Sequence, residues 1–62
     1  MNLIDAYIEK IKKVKVENFG YGLKYIIICD VIAEGVISEH TEIVDIEEDW
    51  TKKVYVGKKI TI

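Results

Sequence analysis

The chain has 62 residues and a mass of 7.2 kDa, the size of one small domain spanning residues 1–62. At this size folding hides roughly 60% of the unfolded surface, so burial contributes on the order of 95 kcal/mol against about 93 for ordering the chain. That near-cancellation calls for an efficient core, a staple or a partner, disfavours a deep-cleft enzyme, and finds no internal disulfide in the lone Cys29.

Half the residues are apolar and 32% are charged, the balance of an ordered globular domain. Isoleucine supplies 12 residues, valine 7 and threonine 3, so over a third of the chain is β-branched and most of it should be strand. Arginine, proline and glutamine are missing, and every cation is a lysine. The longest apolar run, from Tyr25 to Cys29, is far too short for a membrane span, and no secretory signal is visible. With one unpaired cysteine, a cytoplasmic setting is expected.

Residues 2–13 read as an amphipathic helix. Leu3, Ile4, Tyr7, Ile8 and Ile11 form one stripe, Asn2 stands as N-cap and Asp5 in the first turn, and Lys10, Lys12 and Lys13 crowd the last turn. From Val14 the period becomes two, predicting a short strand over 14–17 and then a glycine-containing loop over 18–22. Residues 23–33 form the longest strand, apolar at every odd position and half apolar at the even ones.

Glu34-Gly35 sits between two apolar runs as a two-residue hairpin turn of type I′. That register sets Lys24 opposite Asp45, Tyr25 opposite Val44, Ile26 opposite Ile43, Cys29 opposite His40 and Asp30 opposite Glu39, with a bulge within 38–42 as one way to re-aim the polar pairs. A loop over 47–51 then leads to a last strand over 53–62. A five-residue loop would pair Asp45 with Lys53, Ile43 with Tyr55 and Glu39 with Lys59. The expected fold is α+β: the N-terminal helix on one face of a three- to four-stranded antiparallel meander.

Charge is segregated along the chain. Residues 30–50 carry eight acids and no lysine, whereas residues 51–62 carry four lysines and no acid. One explanation is cross-strand pairing between an acidic and a basic strand. The other is an acidic recognition surface of Glu42, Asp45, Glu47, Glu48 and Asp49 with Trp50 as aromatic anchor, able to occupy a basic groove on a partner.

Cys29 beside His40, flanked by Asp30 and Glu39, has the residue types of nucleophilic catalysis, but a buried thiol among isoleucines is the simpler account. Asp30, Glu39, His40 and Glu42 lack the spacing of a metal site, and Gly20 and Gly22 lack the Gly-Lys-Ser/Thr of a phosphate loop. The run Phe19-Gly20-Tyr21-Gly22-Leu23-Lys24-Tyr25 resembles the glycine-aromatic motif of RNA-recognition and cold-shock domains. Phe19 stands where that motif has a basic residue and Leu23 where it has a second aromatic. The resemblance implies stacking of single-stranded nucleic acid on the aromatics, which the acidic net charge opposes.

These features favour a non-enzymatic interaction protein without cofactor or metal. It would be a small homodimeric inhibitor or adaptor acting through the acidic patch on a protein partner, such as a phage or mobile-element antagonist of host machinery. The second, even-numbered face of the long strand supplies Ile26, Ile28 and Ile32 for self-association.

Overall fold

The computed structural model describes residues 5–61 as a four-stranded antiparallel sheet with one short 3-10 turn. The strands are β1 (Asp5–Asn18), β2 (Leu23–Ala33), β3 (Val36–Asp45) and β4 (Lys59–Thr61), and the turn is Trp50–Lys52. The fold is therefore all-β, and the expected helix over 2–13 is overturned: residues 5–13 belong to the longest strand of the sheet. Asn2, Leu3 and Ile4 lie outside the described residues.

The register of β1 on β2 explains the misleading periodicity. Ile8 and Lys10 stand opposite the consecutive residues Val31 and Asp30, and Ile11 and Lys13 stand opposite Cys29 and Ile28. Glu9 and Lys12 are thus extra residues, each making a β-bulge. Each bulge stretches the alternation from two residues to three. Ala6, Ile8, Ile11, Val14 and Val16 consequently share one face, and the three-residue steps among them imitate one side of a helix. β-branched side chains and a fourteen-residue strand paired along β2 outweigh a weak helical preference.

The β2–β3 hairpin has the register that the sequence predicts, from Ala33 opposite Val36 to Lys24 opposite Asp45, without the bulge considered for 38–42. Its turn holds Glu34 at φ 52° and Gly35 at φ 79°, both positive as type I′ demands. Glycine meets that demand freely, whereas Glu34 carries the strain of a left-handed side-chain-bearing residue.

The last strand corrects the expected meander. Only residues 59–61 are strand, and they lie beside β1, not β3: Asp5 opposes Thr61, Ala6 opposes Ile60 and Tyr7 opposes Lys59. The sheet order β3-β2-β1-β4 is a Greek key, in which the fourth strand returns beside the first. The pairings of Asp45 with Lys53, Ile43 with Tyr55 and Glu39 with Lys59 are not made. Residues 46–58 instead cross from one edge of the sheet to the other over the face that carries Ile8 and Ile27.

That crossover is the lid of the core. Ala6, Ile8, Ile27, Cys29, Val31, Val44 and Val54 are buried, with Ile11, Tyr25, Ala33, Trp50 and Ile60 packed around them. Trp50 enters through a turn capped by Asp49, whose carboxylate accepts from the Thr51 amide at 3.1 Å and the Thr51 hydroxyl at 2.5 Å. Gly57, at φ 91°, turns the chain back so that its amide donates to Ile8 C=O at 2.8 Å, and the Ile8 amide donates to Lys58 C=O at 3.0 Å.

The opposite face has no such lid among the described residues. The chain exposes 4496 Å², where scaling for its mass gives about 4,100 Å². Its radius of gyration is 12.5 Å, against about 11 Å for a compact domain of this length. No helix is long and apolar enough to cross a membrane among the described residues.

Replacing Glu34 by Asn, which tolerates the left-handed region, should stabilise the hairpin by on the order of 1 kcal/mol. A higher denaturant midpoint with unchanged slope is the expected result.

Candidate functional site

Two loops meet at one end of the sheet. The β1–β2 loop, residues 19–22, is closed by the Phe19 amide donating to Gly22 C=O at 3.0 Å and the Gly20 amide donating to Asn18 Oδ1 at 2.8 Å. The chain leaving β3 is held beside it by the Ile46 amide, which donates to Leu23 C=O at 3.4 Å. Tyr21 and Gly22 of the first loop, Leu23 and Lys24 at the start of β2, Asp45 at the end of β3, and Ile46 and Glu47 beyond it line an open cleft of about 180 Å³. That is smaller than the roughly 300–1,000 Å³ of small-molecule pockets, so a side chain of a larger partner fits it better than a metabolite.

Phe19 and Tyr21 pack with ring centroids 6.2 Å apart, and Tyr21 is 79% exposed. Lys24 lies 5.7 Å over the Tyr21 ring while its ammonium pairs with Asp45. The hydrogen bond to Asp45 holds the Lys24 ammonium above its ordinary pKa, against some desolvation.

The acidic residues named from the sequence divide. Asp45, Glu47, Glu48 and Asp49 are all exposed, and of these Asp45 and Glu47 line the cleft. Glu48 pairs with Lys53 at 3.6 Å. Lys59 pairs instead with Asp5, at 3.2 Å on the far edge of the sheet. The charge segregation is therefore only partly kept in space: Lys53 stays beside the acidic run, and the crossover carries Lys59 to the far edge. Trp50 is half-buried against the core, and Glu42 Oε1 accepts from His40 Nε2 at 2.8 Å on the lidded face. The sequence marks Tyr21 and Leu23 as part of the glycine-aromatic run but does not place them beside these acids, because that contact depends on where the chain leaving β3 goes.

Cys29 and His40 face each other across the hairpin, but not as a reacting pair. The buried thiol donates to the His40 carbonyl at 3.5 Å, and the imidazole turns to Glu42. Burial pushes the Cys29 pKa up, and the Glu42 and Asp30 charges push it further. Asp30 and Glu39 point to the open face whereas His40 and Glu42 point to the lidded one, so the four cannot converge on a metal. No group of three such ligands converges among the described residues.

On the open face, Ile26, Ile28 and Ile32 are half-buried along β2. Ile37 and Ile43, on β3 beside them, are each 54% exposed. Lys12, projecting from its bulge, reaches across this face to Glu39 at 3.0 Å and Asp30 at 3.7 Å. The Glu39 hydrogen bond raises its pKa, with both carboxylates adding to the effect.

Compared with protein-family models, with curated proteins and with solved structures, the chain matches none.

Two outcomes follow from the protonation states. In native protein the Cys29 thiol should react with a maleimide or iodoacetamide far more slowly than a free thiol at mildly alkaline pH, and denaturant should restore the ordinary rate. The two Thr51 hydrogen bonds, side chain before backbone, hold Asp49 below the usual carboxylate range. Its contribution is present above that range and fades as pH falls through the lowered value. Asp49→Ala should therefore lower stability at neutral pH and flatten the acid limb, read by Trp50 fluorescence during unfolding.

Proposed function

We propose that this chain is a non-enzymatic protein-interaction module that seats a basic segment of a partner protein at the acidic, aromatic end of its sheet. The observation that carries this is the juxtaposition of Asp45 and Glu47 with exposed Tyr21 and Leu23 in one cleft. Carboxylates attract a lysine or arginine, an aromatic face holds its charge and stem, and the apolar rim excludes water. Lys24 over Tyr21 already makes this kind of contact within the chain. A protein acting this way inhibits or adapts its partner by covering a basic surface.

The exposed aromatics also favour base stacking, the resemblance to RNA-recognition and cold-shock domains being carried by the same loop. The carboxylates around Tyr21 oppose the phosphates that would accompany a base, so the basic-peptide reading is preferred.

Titrating a short arginine-rich peptide into labelled protein at low salt should shift the amide resonances of Tyr21, Leu23, Asp45, Ile46 and Glu47. Glu47→Lys with Glu48→Lys should abolish those shifts and leave the rest of the spectrum in place. Shifts of the same residues by single-stranded DNA, with none from the peptide, would overturn the proposal.

A further inference from the structure

The two long edges of the sheet are built differently. Beyond Ile8, the outer edge of β1 carries two bulges and the lysines Lys10, Lys12, Lys13 and Lys15. Bulges and edge lysines are the devices by which sheets refuse another strand. β3, at the opposite edge, has ten residues in unbroken register with β2 and contains no lysine, proline or bulge. Val36 is 67% exposed there, beside Ile37 and Ile43.

The backbone of this edge is ready to pair. A two-residue turn makes Ala33 and Val36 a hydrogen-bonded pair, so Val36, Ser38, His40, Glu42 and Val44 direct their main-chain groups to β2. The Ile46 bond to Leu23, the next step of that alternation, fits this phase. Ile37, Glu39, Thr41 and Ile43 therefore direct their N–H and C=O groups outward.

The side chains along β3 read nearly the same in both directions: Val36, Ile37, Ser38, Glu39, His40, Thr41, Glu42, Ile43, Val44. We propose that two copies of the chain join β3 to β3, antiparallel about a twofold axis at His40, into one continuous eight-stranded sheet. In that register Val36 meets Val44 of the second copy and Ile37 meets Ile43. Glu42 meets Ser38 and Glu39 meets Thr41, so each carboxylate faces a hydroxyl donor and no acid opposes an acid. The outward residues fall opposite one another and exchange main-chain hydrogen bonds.

Neighbouring registers that keep the faces aligned are worse. A two-residue change in the pairing sum one way sets Glu39 against Glu39, and the other way sets Glu39 against Ile43 and Ile37 against Asp45. The favoured register also joins the open faces. Ile26 and Ile43 of one copy continue into Ile37, Ile32 and Tyr7 of the other as one apolar row. A single edge pairing buries less than a standard interface, so the dimer should dissociate in the micromolar range or above. This surface is distinct from the acidic cleft, and the two proposals stand or fall separately.

Light scattering from low micromolar to millimolar protein should show the mass rising from monomer to dimer. Amide exchange at Ile37, Glu39, Thr41 and Ile43 should slow along the same series. Thr41→Pro removes an outward N–H and no bond to β2, so it should give a folded monomer. Ile37→Lys with Ile43→Lys sets like charges opposite at both ends and should also give a monomer, whereas Ile37→Lys with Ile43→Glu should restore the dimer. If Thr41→Pro fails to fold, this charge pair decides. A wild-type chain still monomeric at millimolar concentration would overturn the proposal. So would a dimer that survives both lysines, or one dissolved by Ile28→Lys with no protection along β3, which would mean face-to-face packing.

Discussion

A sheet has two faces, and among the described residues one segment covers one of them. Residues 46–58 run over the face formed by Ile8, Ile27, Cys29, Val31 and Val44, and Val54 is the cover's own fully buried side chain. Each of those residues loses its water contact, and together they supply most of the apolar burial that holds the domain. Among the described residues nothing comparable covers the other side. Ile26, Ile28 and Ile32 are half-buried there, and the Lys12 ammonium spans the same face to Asp30 and Glu39. The excess surface and extended shape of the molecule are consequences of that shortage.

The two bulges in β1 serve this arrangement in two ways. They keep Ile8, Ile11 and Val14 on the lidded face despite the intervening lysines. They also place Glu9 and Lys12 as unpaired residues along an edge that would otherwise accept a strand. β3 has neither device. The contrast between a defended and an undefended edge in one small sheet is what makes association through β3 a specific expectation, beyond the general need of a short chain for more burial.

The route of the crossover also sets the electrostatics. By leaving β3 beside the β1–β2 loop and ending beside β1, it divides the C-terminal lysines between the acidic run and the far edge of the sheet. Lys53 stays with Glu48, Lys59 goes to Asp5, and Asp45 is answered by Lys24 from the neighbouring strand. Glu47, outside these pairs, lines the cleft together with exposed Tyr21 and Leu23. Such pairs are exposed and individually weak, so their arrangement bears on recognition more than on stability.

The sequence by itself determined the strand content, through its isoleucine and valine, and the β2–β3 hairpin down to its register. Both are local: Glu34-Gly35 dictates the turn, and alternation on either side dictates which residues meet. It also showed the charge segregation and the surplus of isoleucine on the second face of β2. What the tertiary structure decided is everything that depends on distant pairing. The spacing of Ile8, Ile11 and Val14 is the same for a helix and for a bulged strand, and the choice between them rests with β2, whose free side takes β1. The final strand could have paired with β3 or with β1 on pattern alone. It goes to β1 because only a crossover of the sheet brings Trp50 and Val54 down onto an apolar face that would otherwise be left in water.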